Sequence, residues 1–190
     1  PQPGALFHPG SWLQDFSIEF WLYPALLSDG EQVLIWQGAR WNEETVIPQQ
    51  LRCAVQGRTL VWGFQNVFAG PFGQKTSIQL RGITPMVPED WHHHILRYDS
   101  RRGLLEYLMD GVPEAVAYTT DSGFERGAVL LPFIGDAGPG QVKVGAGFTG
   151  FVDELRITRA FVEEPNLDRY SGDVGVFVSQ SGETKDVLNA

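Results

Sequence analysis

One cysteine among 190 residues, Cys53, excludes an internal disulfide. Set in an alternating apolar segment, it reads as a small buried hydrophobe and leaves the redox compartment open. Lysine is nearly absent and the formal net charge is −9, which argues against nucleic acid as a partner, because phosphate binding draws on clustered Lys and Arg. No apolar run approaches the roughly 20 residues of a membrane helix, so membrane insertion is not expected. Helix signals are scarce, and no nucleophile elbow, phosphate loop or thiol dyad is found. The chain opens on Pro1-Gln2-Pro3-Gly4 without an initiator Met or a charged and apolar signal segment, and is read as an excerpt of a longer protein.

The composition that remains is globular, with 43% hydrophobic, 12% aromatic and 19% charged residues. A single domain of this length buries roughly 70% of its unfolded surface. Short runs rich in Val, Ile, Phe, Trp and Tyr recur between Gly, Pro, Asp and Asn, the pattern of an all-β protein built as a two-sheet antiparallel β-sandwich. Alternation from Phe16 to Leu22 puts Phe16, Ile18 and Phe20 on one buried face before Pro24 ends the strand. Trp91, Ile95 and Leu155 complete the expected core.

Strands are expected over Gln32 to Gln37, Leu51 to Gln56, Thr59 to Asn66 and Ser77 to Arg81, with Gln56-Gly57-Arg58 closing a hairpin. Trp91 to Tyr98, Leu104 to Met109 and Val112 to Tyr118 form a meander through the Asp99 to Gly103 loop and the Asp110-Gly111 turn. Val129 to Ile134 and Gly150 to Ile157 are the last clear strands, with a loop over Gly135 to Gly140. The stretch from Ala160 to Tyr170 has room for one helical turn. Val174 to Val178 reads as a new strand, so the expected division is one domain over 1–172 and a terminal strand or the start of a following domain over 173–190.

Three successive histidines invite a metal reading. Strand alternation sends His93 away from His92 and His94, so only those two could share an ion, and beyond the isolated His8 there is no partner cluster of Cys or His. The expectation is one histidine hydrogen-bonded in the sheet and the others at its surface.

Four stretches carry a family resemblance. Asp15-Phe16-Ser17-Ile18-Glu19-Phe20-Trp21-Leu22-Tyr23-Pro24 resembles the opening strand of the laminin-G-like, concanavalin-A-like jelly roll, pentraxins included. Trp91 to Asp99 resembles its Trp-His strand ending in Tyr-Asp. Leu105 to Gly111 is similar to the next strand and its Asp-Gly turn, and Gly150 to Ile157 to the closing signature. Together they span about residues 5 to 160. The resemblance implies two curved antiparallel sheets packed face to face, a jelly roll common in multidomain extracellular proteins.

It also implies two kinds of site to weigh. Relatives of this fold often hold calcium near the sandwich edge with a carboxylate of the closing signature, here Asp153, and backbone oxygens; otherwise Asp153 caps or pairs locally with Arg156 or Arg159. Laminarinase-like glycoside hydrolases place acids at alternating positions of one strand. No segment here does so: Glu43-Glu44, Glu89-Asp90 and Asp153-Glu154 are adjacent pairs whose side chains diverge. Apart from the family, two apparent rim loops carry aromatics beside polar groups. Arg40, Trp41 and Asn42 in one, and Phe68 and Phe72 in the other, either contact a glycan or protein ligand or pack over the open ends of the core. The expected function is a non-catalytic binding module of a secreted, periplasmic or cell-surface protein, with glycan or protein ligand and neighbouring domains as partners. A structural spacer is the alternative, and a glycosidase the more distant one.

Overall fold

The computed structural model describes residues 5–69, 75–138, 140–165, 167 and 176–178. Along the chain the strands are β1 (Ser11–Trp12), β2 (Phe16–Pro24), β3 (Gln32–Asn42), β4 (Thr45–Gln56), β5 (Thr59–Ala69), β6 (Lys75–Arg81), β7 (His92–Asp99), β8 (Leu104–Met109), β9 (Val112–Tyr118), β10 (Leu131–Ile134), β11 (Gln141–Val144), β12 (Gly150–Thr158) and β13 (Val176–Val178). They form two antiparallel sheets. A seven-stranded sheet runs β1-β10-β5-β4-β3-β11, with β6 along the free edge of β5, and a six-stranded sheet runs β13-β12-β2-β7-β8-β9. This is a jelly-roll β-sandwich, and the described residues contain no helix.

Large side chains from the two inner faces interlock between the sheets. Phe20 on β2 and Tyr107 on β8 meet Trp62 on β5 with ring centroids 6.0 and 6.4 Å apart, and Tyr98 on β7 meets Phe68 at 5.7 Å. Phe16, Ile18 and Phe20 lie in this core as expected, and Cys53 joins them fully buried, its thiol pKa pushed well up by the loss of solvent.

The outer face of the six-stranded sheet is covered as well. The backbone of 160–163 crosses it: Ser17 Oγ donates to Ala160 O (2.8 Å), Val162 N donates to Ser17 Oγ (3.0 Å), and Arg97 Nη1 donates to the carbonyls of Val162 and Glu163. Ile95, paired with Glu19, is therefore buried on this second face rather than between the sheets. Leu155 is only partly buried against the core, and Trp91 is half-buried beside Tyr23 and Phe151.

Both anticipated hairpins close on two residues with the paired positive φ of a type I′ turn, 59° and 64° at Gly57 and Arg58 and 52° and 76° at Asp110 and Gly111. Elsewhere the strands outrun the expectation. β3 and β4 pair as far as Asn42 and Thr45, so Arg40 to Asn42 belongs to a long hairpin closed by Glu43-Glu44. Pro48 sits inside β4 without penalty because β5 pairs with β4 only from Gln50 onward, leaving no ladder bond for the missing N–H. β5 kinks at Asn66 (φ 55°), where its register shifts, and continues to Ala69. β11 occupies a segment that carried no strand assignment. Residues 160–165 form no helical turn. Val176–Val178 pairs antiparallel with Gly150–Val152 at the edge of the six-stranded sheet.

Candidate functional site

Among the described residues the outer face of the seven-stranded sheet has no covering layer comparable to residues 160–163, and cross-strand register organises it into rows. Gln141 on β11 stands beside Gln37 on β3, Gln37 beside Gln50 on β4, and Gln50 beside Gln65 on β5. At about 4.8 Å per strand this ladder of four amides is about 14 Å wide. None of these four side-chain amides bonds another described residue, whereas the inward-facing Gln49 uses its amide fully, donating to Asn66 O and Phe133 O and accepting from Gly135 N, each at 2.8 Å. Each free amide offers donors and an acceptor in one plane, the pairing that sugar hydroxyls require.

The next row reads Lys143, Ile35, Arg52, Gly63 and Gln79 across five strands. Gly63 leaves the floor open: a Cβ built there would meet nothing within 4 Å. A depression of about 450 Å³ lies over this area, lined by Gln50, Arg52, Gln56, Gly63, Gln65 and Gln79 among others. A smaller one of about 220 Å³ adjoins Gln37, Gly38, Ala39, Gly138 and Gln141. In the other direction the rows become apolar, through Ala39 and Pro48 to Trp41 opposite Val46, the last two 57% and 46% exposed.

Of the residues expected to contact ligand, Trp41 lies on this face and Arg40 does not. Arg40 points inward and is 6% exposed. Beneath it Ala137 N donates to Ala39 O, and burial lowers the Arg40 pKa. Asn42 is exposed at the hairpin end, where its carbonyl accepts from Thr45 Oγ1. Phe68 is a correction: it is fully buried between Phe64 and Tyr98, because β5 runs on past the kink and carries it into the core. Phe72 lies outside the described residues. The glutamine ladder was missed. Its members are ordinary polar positions in alternating strands, and only long-range register assembles them.

The histidines also depart from expectation. His92 faces Asp110 (Nδ1 to Oδ2, 2.8 Å), but His93 is buried on the outer face of its sheet beside Trp21, and His94 is fully buried with Nδ1 2.8 Å from the Tyr107 hydroxyl. Burial, reinforced by His92 and His93, holds the His94 pKa well below the usual range, so its imidazole is neutral. Asp153 is buried opposite Trp21, and its Oδ1 accepts from Glu154 N at 2.9 Å. Among the described residues no three His, Cys, Asp or Glu side chains gather to hold a metal.

Comparison with known proteins agrees with the architecture. The family model of the concanavalin A-like lectin/glucanases superfamily matches residues 3–164. No curated protein matches the chain. Among solved structures, the CBM40 module of the Ruminococcus gnavus IT-sialidase is 10% identical, with a TM-score of 0.52 over 80% of this chain and 79% of that one. The same module has been seen bound to α2,3 sialyllactose. A candidate carbohydrate binding protein from Bacteroides ovatus is 18% identical, with a TM-score of 0.50 over 82% of this chain and 40% of that one. Domain 4 of AbnA, a GH43 extracellular arabinanase from Geobacillus stearothermophilus, in complex with arabinotriose, is 16% identical with a TM-score of 0.45; there this chain is covered to 78% and spans 63% of its counterpart. At such identities the likeness concerns the fold. With two antiparallel sheets in a jelly roll and a family match over residues 3–164, this chain belongs to the concanavalin A-like lectin/glucanases superfamily.

Proposed function

We propose that the chain is a non-catalytic carbohydrate-binding module, comprising residues 1–172, of a larger secreted, periplasmic or surface-attached protein, and that it holds a glycan across the outer face of the seven-stranded sheet. The observation that carries this reading is the ladder Gln141, Gln37, Gln50 and Gln65, whose amides are unengaged by any described residue. A flat array of amides suits hydroxyl-rich ligands, and the exposed Trp41 beyond it supplies a ring for stacking on a sugar face. Two similar folds point the same way, the sialidase module bound to sialyllactose and the candidate carbohydrate binding protein. The non-catalytic part of the reading rests on the rows themselves. Glycoside hydrolysis needs two carboxyl groups about 5–9.5 Å apart around one bond, and the described strand positions of this face carry no Asp or Glu.

The test is a glycan array probed with the wild-type chain and with a Gln37→Ala/Gln50→Ala double variant. The expected result is a defined set of bound glycans that the double variant loses while its melting temperature is unchanged. Retained binding in the double variant, or no bound glycan for the wild type, contradicts the proposal, and the second outcome favours a spacer.

A further inference from the structure

We infer that the ligand is an acidic oligosaccharide, its carboxylate or sulfate seated on Arg52 above the open floor at Gly63; this rests on the glycan-binding reading above. The chain carries 23 acidic against 14 basic residues, and three of its other arginines pair with acids. Arg97 pairs with Glu106 at 2.9 Å, Arg102 with Asp99 at 2.7 Å and Arg156 with Glu154 at 2.7 Å. Arg52 makes no ion pair or hydrogen bond to a described residue, although it stands in the middle of the sheet face, exposed and lining the larger depression. The other charged strand positions of the face are cations too, Lys143 two strands away in the same row and Arg81 beside Val61 one row along. Against a net charge of −9, the described strand positions of this face carry no acid.

Such an arrangement gives a neutral sugar little that the amides do not already supply, whereas an acidic sugar gains a charge-assisted, two-pronged contact with the guanidinium. Gly63 adjoins Arg52 across the β4–β5 pair, so the space a side chain would fill beside the guanidinium is open to the ligand. From Arg52 along β4 to Val46, opposite Trp41, is six residues, about 20 Å at 3.4 Å per residue, which suits an oligosaccharide rather than a single sugar.

Binding of the whole chain is measured by calorimetry to three pairs of probes, each an acidic glycan beside its neutral counterpart: oligogalacturonate and its methyl ester, sialyllactose and lactose, chondroitin and its carboxyl-reduced form. At least one acidic member is expected to bind about tenfold or more tightly than its neutral partner, the size of one charge-assisted hydrogen bond. That preference should weaken with added salt and vanish in Arg52→Gln, with the melting temperature of the variant read alongside as the check on its folding. If neutral members bind as tightly as acidic ones, or if Arg52→Gln keeps the preference, this inference is overturned while glycan binding stands. If no acidic or neutral glycan binds to the wild type, both readings fall.

Discussion

His94 has a titration behaviour set by its place in the core. Enclosed by Phe20, His92 and Tyr107, it stays neutral in the folded chain well below the pH at which an exposed imidazole takes up a proton near 6.5. As pH falls through that value the unfolded state binds the proton and the folded state does not, so stability declines with acidification, by up to about 1.4 kcal/mol per pH unit. Denaturant unfolding between pH 7.5 and 5.5 should therefore show a steeper loss for wild type than for His94→Gln. Parallel curves for the two proteins would contradict the account. The alternation of the strand did place His93 opposite His92 and His94; what it could not supply is depth. Which faces of a strand are covered depends on the neighbouring layer, here the segment 160–163 over one side and the second sheet over the other.

At the scale of elements, Gln49 holds three segments in place. Its side chain ties β4 to the kink of β5 at Asn66, to β10 at Phe133 and to the backbone of Gly135, and these bonds are buried or partly so. Gln49→Met keeps the length of the side chain and removes the amide, leaving the Gly135 N–H unpaired. The cost should be about 2–3 kcal/mol, read as a lower urea midpoint with an unchanged slope. A shift below about 0.5 kcal/mol would show that the bonds are replaced by solvent. Strands whose large residues alternate, such as β2, and hairpins closed by Gly57-Arg58 or Asp110-Gly111 were legible in the sequence because the signal is local. The β3–β4 extension was not, because the polar and Pro-containing run from Arg40 to Gln49 has loop composition and is held in strand form by pairing with itself. β11, with the pattern Gln-Val-Lys-Val, gave too short an alternation to separate from the glycine-rich loop before it. Phe68 was misplaced for a related reason: the Asn66 kink changes direction without ending the strand.

For the molecule as a whole, the sandwich itself was readable, whereas Trp41, expected in a rim loop, is an exposed residue of β3. The rest of the site was not readable, since Gln37, Gln50, Gln65 and Gln141 become neighbours only through the register of four strands. The same register sets Gly63 in the middle of the face, at a position where nothing in the fold needs a glycine: its φ is not in the left-handed region and a Cβ would meet open space. Glycine inside a strand weakens it and often marks close approach of a ligand. Gly63→Val should restore strand propensity while filling the floor of the site. Calorimetric titration of the wild type and Gly63→Val with a glycan that the wild type binds, alongside thermal melts, separates ligand space from strand stability. At least about a tenfold loss of affinity with an equal or higher melting temperature in Gly63→Val is expected; unchanged affinity in a stably folded Gly63→Val would rule out this face as the glycan site.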